Sequence, residues 1–327
     1  MIFSLQILRE SCRMKLMKSK IISLMIISSL IYCSSEQIRE KPISPFLDTQ
    51  GHRGARGLKP ENTIPAFETA MQYGMRTIEL DTVVTKDKKL IVHHDTETNP
   101  VICRNSDGTP IVSRKISELT VSELKDLDCG SPVNPKFPEQ KPVPGTKLST
   151  LDEFFQSVKD YEKKNKIKTP FLFNVETKFD KNPTEEETKE FAALMTDYIR
   201  KAGVTDRTTV QSFHLPVLPE VRKIEPKLKL SALVEPGYFG GLRMYLGLGA
   251  GVRKSAILKA EELKVDVLSP YHLYVTPEFV REAHKRNIQV IPWTVNETDL
   301  MKSLLEKGVD GIISDYPDRL SAAVEKK

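Results

Sequence analysis

The chain has 327 residues, 39% of them apolar and 28% charged, and a formal net charge of +5. This length suits a single α/β barrel of roughly 250 residues with additions, and the composition is globular rather than disordered. The positive excess is local: residues 1–32 carry five basic side chains against Glu10 alone, leaving 44 basic and 43 acidic residues in the remainder, and a body so nearly neutral excludes the basic footprint of a nucleic-acid binder.

The first predicted element is a targeting segment. Lys15, Lys18 and Lys20 precede the apolar run "IISLMIISSLIY", Ile21 to Tyr32, and Cys33 follows directly. Twelve residues are too few to span a bilayer as a helix and fit the apolar region of a signal peptide. "LIYC" resembles the lipobox of bacterial lipoproteins, although Tyr32 stands where a small residue is usual. The reading is a signal peptide over 1–33 with Cys33 as the lipid-bearing first residue of an exported, membrane-anchored protein of the bacterial envelope. An ordinary cleaved signal and an uncleaved anchor are the alternatives. Residues 34–48 are polar, carry two prolines and read as a tether.

From residue 49 to 323 short β-like runs alternate with amphipathic helix-like runs. Strands are expected at Thr49–Arg53, Thr77–Val84, Lys89–His94, Phe171–Lys178, Thr208–Phe213, Leu228–Val234, Val267–Ser269, Gln289–Val295 and Gly311–Ser314. Helices are expected at Ile64–Tyr73, Leu151–Lys164, Glu185–Lys201, Leu215–Ile224, Arg253–Glu262, Pro277–Arg286, Thr298–Glu306 and from Pro317 onward. Thr276 before Pro277, Asn296 or Thr298 in "NETDL", and Ser149 or Thr150 in "STLDEFF" are cap candidates. The alternation argues a parallel sheet. Eight such units over about 275 residues argue a closed (β/α)8 barrel more than an open doubly wound sheet, and the lack of a GxGxxG after the first strand weakens a dinucleotide-binding reading.

Two stretches interrupt the pattern. Residues 96–148 are rich in Pro, Gly, Asn and Lys around one short helix, Thr120–Lys125. They read as an insertion after the second strand region. Cys103 and Cys129 lie within it and could pair in an oxidising compartment; two reduced, buried thiols are the alternative. Residues 235–252, "EPGYFGGLRMYLGLGAG" at their heart, are rich in Gly and large apolar side chains. Both follow strands, which places both at the carboxyl end of a barrel, where barrel enzymes do their chemistry. The apolar content of the second points to a substrate or membrane contact, with a decorative insertion as the alternative.

The residues that carry chemistry lie at strand ends. Alternation along "TIELDTVV" puts Glu79 and Asp81 on one face, and in "FLFNVETK" Asn174, Glu176 and Lys178 share one. Three converging carboxylates are hard oxygen ligands suited to Mg²⁺ or Ca²⁺; a salt-bridged rim with Lys178 on Glu176 is the alternative. His52 sits in "GHRG", and "LIVHHD" offers His93 and His94, which face opposite ways. Histidines near a cation and an arginine suit acid–base work on a phosphate ester. There is no HExxH for zinc and no GxSxG for a serine nucleophile. His214, His272 and His284 read as structural or surface residues.

The segment "GHRGARGLKPENTIPAFETAMQYGMRTIELDTVVTKDKKLIVHHD" resembles the opening signature of the glycerophosphodiester phosphodiesterase family, and "FNVETK", "VQSF", "PWTVN" and "GVDGIISDYP" continue the likeness in order. The resemblance implies a TIM barrel with a divalent cation, Ca²⁺ or Mg²⁺, at its carboxyl face and a small-molecule glycerophosphodiester as substrate. Matched by motif, His52 and His94 are the catalytic histidines and Glu79, Asp81 and Glu176 the metal ligands. Arg53 and Lys178 contact phosphate, and Glu61 orients His52 or Arg53. Phe213 and Trp293 read either as core or as an aromatic wall for the substrate. The implied reaction is two-step: one histidine takes the proton of a glycerol hydroxyl as it attacks phosphorus, the other protonates the leaving alcohol, and water opens the cyclic phosphate with the roles exchanged. Phospholipase D-like cleavage of lysophospholipid or sphingomyelin on the same barrel is the nearest alternative. A surface lipoprotein that binds without catalysing is the more distant one.

Overall fold

The computed structural model describes residues 47–325. The signal-like segment, Cys33 and the tether as far as residue 46 lie outside the described residues. Among the described residues no helix is long and apolar enough to cross a membrane.

Eight strands run parallel: β1 (Asp48–Gly51), β2 (Thr77–Val84), β6 (Leu172–Thr177), β7 (Thr208–Ser212), β8 (Lys229–Val234), β9 (Val267–Pro270), β10 (Gln289–Val290) and β11 (Gly311–Ser314). β11 pairs with β1, and the order then follows the chain from β1 to β10. The last seam is narrow. Asp310 N donates to Val290 O at 2.9 Å and Ile313 N to Pro292 O at 3.0 Å, which brings β11 beside β10 and all but closes the barrel. The architecture is the expected TIM barrel.

Helices return the chain from each strand to the next: α1 (Ile64–Gln72), α3 (Leu151–Lys164), α4 (Glu185–Ala202), α5 (Val217–Ile224), α7 (Ala250–Glu262), α8 (Pro277–His284), α9 (Thr298–Glu306) and the terminal α10 (Pro317–Val324). Local chemistry sets several starts. The Thr276 hydroxyl accepts from Phe279 N at 3.1 Å, with Pro277 opening α8. Thr150 begins α3, and its N–H donates to the Glu153 carboxylate at 3.0 Å. At α9 the cap position falls to Glu297, and neither Asn296 nor Thr298 caps it. The Asn296 side chain is engaged elsewhere, as described below.

The main core lies between sheet and helices. Phe67, Phe154, Phe155 and Phe173 are buried there with ring centroids 4.7–5.6 Å apart, and edge-to-face contact adds to the free energy of burying such large rings.

The expected strand Lys89–His94 is not a barrel strand. β3 (Leu90–Val92) pairs antiparallel with β2, Thr82 opposite Val92 and Val84 opposite Leu90. The turn over 85–89 sends the chain back along its own strand, and His93 N donates to Asp81 O at 3.1 Å. The insertion 96–148 leaves from there. It holds β4 (Arg104–Asn105) and β5 (Leu127–Asp128), an antiparallel pair, with α2 (Val121–Lys125) just before β5. A disulfide joins Cys103 to Cys129. A small core of its own, including Ile116, Leu119 and Leu124, packs on Val83 and Ile91. The second interruption contains a helix that periodicity alone did not suggest, α6 (Tyr238–Tyr245).

Candidate active site

Glu79, Asp81 and Glu176 come from neighbouring strands in register. Asp81 pairs with Glu176 and Glu79 with Asn174 across the β2–β6 ladder. All three are buried, and each offers a carboxylate oxygen within 4.8 Å of the other two. Such charge cannot sit in a barrel mouth unbalanced, and the surrounding side chains show how it is shared. Arg53 N–H donates to Glu79 Oε2 at 2.7 Å and Gln211 Nε2 to Glu79 Oε1 at 2.9 Å. Asn62 Nδ2 donates to Asp81 Oδ2 at 2.8 Å. Lys178 Nζ lies 3.2 Å from Asp81 Oδ1 and forms an ion pair with Glu176 Oε1. Those last two oxygens are buried and make no hydrogen bond. The set is all oxygen and anionic, with two buried lone-pair donors left over beside one lysine. It fits a hard divalent cation.

The electrostatics follow from burial and crowding. Burial, with Asp81 and Glu176 nearby, pushes the Glu79 carboxyl well above its ordinary range. Burial also works against an ionised Asp81, but Lys178 and Arg53 outweigh it and hold Asp81 well below that range. Glu176 is raised by burial despite Lys178. An added cation would favour the ionised form of all three.

Arg53 occupies the junction. Its guanidinium meets Glu61 at 2.6 Å and Asp81 at 3.3 Å. Its backbone is left-handed, φ 49°, as is that of Asn62 at 55°, a conformation non-glycine residues seldom take outside sites that require it. Asn62 N donates to Arg53 O at 3.0 Å and locks the two together. Gly54 is needed next to them, since a Cβ there would come within 2.6 Å of the Ala66 backbone. Glu61 therefore braces Arg53, and His52 has a different partner.

That partner is Asp315, one residue beyond β11. His52 Nδ1 lies 2.6 Å from Asp315 Oδ1. Arg56 clamps the same carboxylate with two bonds, 2.8 and 3.0 Å, and Asn296 Nδ2 donates to Oδ2 at 2.8 Å. Burial would raise the Asp315 carboxyl, but His52 and Arg56 hold it well below its usual range. An ionised acceptor fixes the proton on His52 Nδ1 and leaves Nε2 as a base. Burial, helped by Arg56, lowers the imidazole to about 4, so it is neutral at ordinary pH. Asp315 and Arg56 were not singled out from sequence, and Asn296 was read there only as a helix cap. The signal available was a carboxylate at the carboxyl end of a barrel strand.

His94 stands at the end of the hairpin. Its Nδ1 is 2.8 Å from Asp95 Oδ1, and Asn99 Nδ2 holds the other oxygen at 2.7 Å. The His93 N–H on Asp81 O ties this end of the hairpin to the strand that carries Glu79 and Asp81. His93 is buried, its Nε2 3.3 Å from Glu97 O. Phe213 and Trp293 meet edge to face at 5.2 Å, with Tyr271 5.7 Å beyond Trp293. Lys178 Nζ sits 5.7 Å from the centre of the Phe213 ring. Trp293 Nε1 donates to Ser269 O at 2.8 Å, so the polar atom of the ring is satisfied within the barrel.

An acid cluster, two braced imidazoles and two basic side chains on the carboxyl rim of a barrel define a phosphoester-cleaving class of enzyme. The comparisons with known proteins agree. The chain matches the glycerophosphoryl diester phosphodiesterase family over residues 52–319. It is 31% identical over 277 residues to the glycerophosphodiester phosphodiesterase of Caldanaerobacter subterraneus, covering 84% of this chain and 96% of that one. Among solved structures, a Silicibacter pomeroyi protein described as a glycerophosphoryl diester phosphodiesterase superposes with a TM-score of 0.77 at 28% identity, covering 86% of this chain and 95% of that one. A phosphodiesterase of Oleispira antarctica, solved with sn-glycerol-3-phosphate, shares the fold at a TM-score of 0.65 and 22% identity, covering 86% and 98%. The chain belongs to the glycerophosphoryl diester phosphodiesterase family. It is an enzyme of that kind, a phosphoric diester hydrolase.

Proposed function

We propose that this rim cleaves glycerophosphodiesters to an alcohol and glycerol 3-phosphate by two-histidine acid–base chemistry beside a divalent cation. The observation that carries the reading is the convergence of Glu79, Asp81 and Glu176 on a rim whose two histidines, His52 and His94, are each held at Nδ1 by a carboxylate of its own. Glu79, Asp81 and Glu176 would hold the cation, which when bound polarises a phosphoryl oxygen and makes a coordinated hydroxyl more acidic.

The chain's own groups divide the rest. Arg53 and Lys178 supply positive charge for the phosphate oxygens. Phe213 and Trp293 wall the apolar side of the substrate. His52 Nε2 accepts the proton of the glycerol hydroxyl as its oxygen bonds to phosphorus. Protonated His94 gives its proton to the departing alkoxide as that P–O bond breaks. Water then attacks the cyclic phosphate, His94 takes the water proton, and His52 returns its proton to the glycerol oxygen. Both imidazoles end as they began.

The test is a substrate panel with metal rescue. The purified protein should hydrolyse glycerophosphocholine, lose most turnover on chelation, and regain it with Ca²⁺ or Mg²⁺. Undiminished turnover after full chelation would remove the cation. Inert protein with every divalent ion would leave the binding lipoprotein.

We also propose the exported, lipid-anchored placement. Its support is the basic-then-apolar segment ending at Cys33. Cells fed labelled fatty acid should label the protein and fail to label a Cys33→Ser variant; equal labelling rejects the anchor.

A further inference from the structure

The segment after β8 is built inside out. On α6 and the turn that follows, Tyr238, Phe239, Leu242, Tyr245, Leu246 and Leu248 are 84%, 77%, 47%, 85%, 60% and 63% exposed. Met244 is the one buried residue of the helix, and a few glycines let the chain approach the body around it. Gly240 lies against Pro236 and Val252, and Gly249 against Met244, which is buried. A Cβ on Gly249 would come within 2.7 Å of the Met244 side chain. The helix is therefore seated on the body by Met244, and its other large apolar side chains are what it presents outward. Water gains nothing from such a face, and six neighbouring residues of this kind mark a contact surface.

Charge selects the occupant. From Pro236 to Ala260 there is no Asp or Glu, while Arg243, Arg253, Lys254 and Lys259 are all basic. The rest of the chain mixes both signs. Glu235, Glu278 and Glu282 lie at the segment's borders, but the segment's own charges are all basic, and large apolar side chains interleaved with Lys and Arg are the pattern that inserts below an anionic headgroup layer. Position agrees. The segment follows the carboxyl end of β8, on the rim that carries the acid cluster. A cleft of about 590 Å³ runs from Phe213 past Val234 and Glu235 to Arg243 and Val252, so Phe213 opens toward the root of this segment. The fourteen residues from Cys33 to the first described residue reach at most about 50 Å when extended, so a lipid on Cys33 keeps the body within range of the same surface.

We propose that the outward face of residues 238–248 docks on a phospholipid bilayer containing anionic lipid and sets the catalytic rim against it, so that diesters bearing an acyl chain enter from the membrane along the Phe213 cleft. The substrate class is then lysophospholipid-like as well as water-soluble. This rests on the reading of the rim as catalytic.

The experiment uses the full chain and vesicles of phosphatidylcholine and phosphatidylglycerol carrying lysophosphatidylcholine. The combined variant Tyr238→Ser, Phe239→Ser, Tyr245→Ser should lose at least about tenfold in hydrolysis of the vesicle-borne substrate and keep its rate on glycerophosphocholine in solution. Unchanged rates on both overturn the proposal. A fluorophore placed by Phe239→Cys should be quenched by brominated lipid, and one placed by Val112→Cys, on the insertion, should not. Equal quenching, or none at 239, also overturns it, whatever the triple variant does. A monomer–dimer equilibrium abolished by the triple variant, without quenching, gives the face to a second copy instead. If the unaltered protein hydrolyses neither substrate yet is quenched at 239, the catalytic reading fails and the docking survives.

Discussion

The two histidines are held by very different parts of the molecule. His52 lies in the barrel itself, between β1 and the end of β11, and its carboxylate partner is clamped by Arg56 and Asn296. Its side chain is 11% exposed and that of Asp315 is 2%. His94 hangs at the end of a hairpin, with side-chain exposures of 30% for His94 and 40% for Asp95, at the root of the disulfide-stapled insertion. One imidazole is fixed, dry and neutral. The other is within reach of water, which a proton donor needs if it is to be recharged. On the proposed mechanism, rigidity goes to the base and exchange with solvent to the acid.

Removing either ring should have the largest effect. His52→Ala and His94→Ala are each expected to lower kcat by about 10²–10⁴-fold with an unchanged circular dichroism spectrum. An active His94→Ala enzyme would hand the role to His93 and collapse the contrast. Removing the braces should separate the two sides more finely. Asp315→Asn is expected to cost about 10²-fold in kcat with little change in KM, and Asp95→Asn only about tenfold, because the buried imidazole has no water to replace its partner. Asp315 also acts to raise the proton affinity of His52. In Asp315→Asn the acid limb of kcat/KM should therefore move to lower pH, a readout that simple loosening of the fold would not give. Equal losses for the two variants, with no movement of the limb, would mean that Asp315 is only structural.

Much of this was legible in the sequence, and the failures have physical causes. The parallel barrel followed from apolar strand runs alternating with capped helices, and the acid cluster from side-chain alternation in "TIELD" and "FNVET". The direction of β3 was not legible, because Leu90-Ile91-Val92 is apolar whichever way it pairs. Asp315 was missed because its partner lies 263 residues earlier. Asn296 looked like a helix cap because locally it is a good one; a carboxylate brought close by the fold outcompetes the helix end. α6 was obscured because it buries a single residue, Met244, and turns its aromatic side chains outward, so it has no apolar stripe to read.

The reversal of β3 on β2 makes the turn at 85–89 a ruler. Successive side chains on a strand point to opposite sides, so adding or deleting a single residue between Val84 and Leu90 would slide the register by one and exchange His93 for His94 at the carboxylates. The long excursion after Asp95 can vary in length without disturbing which ring is presented, whereas the five residues of the turn at 85–89 are counted.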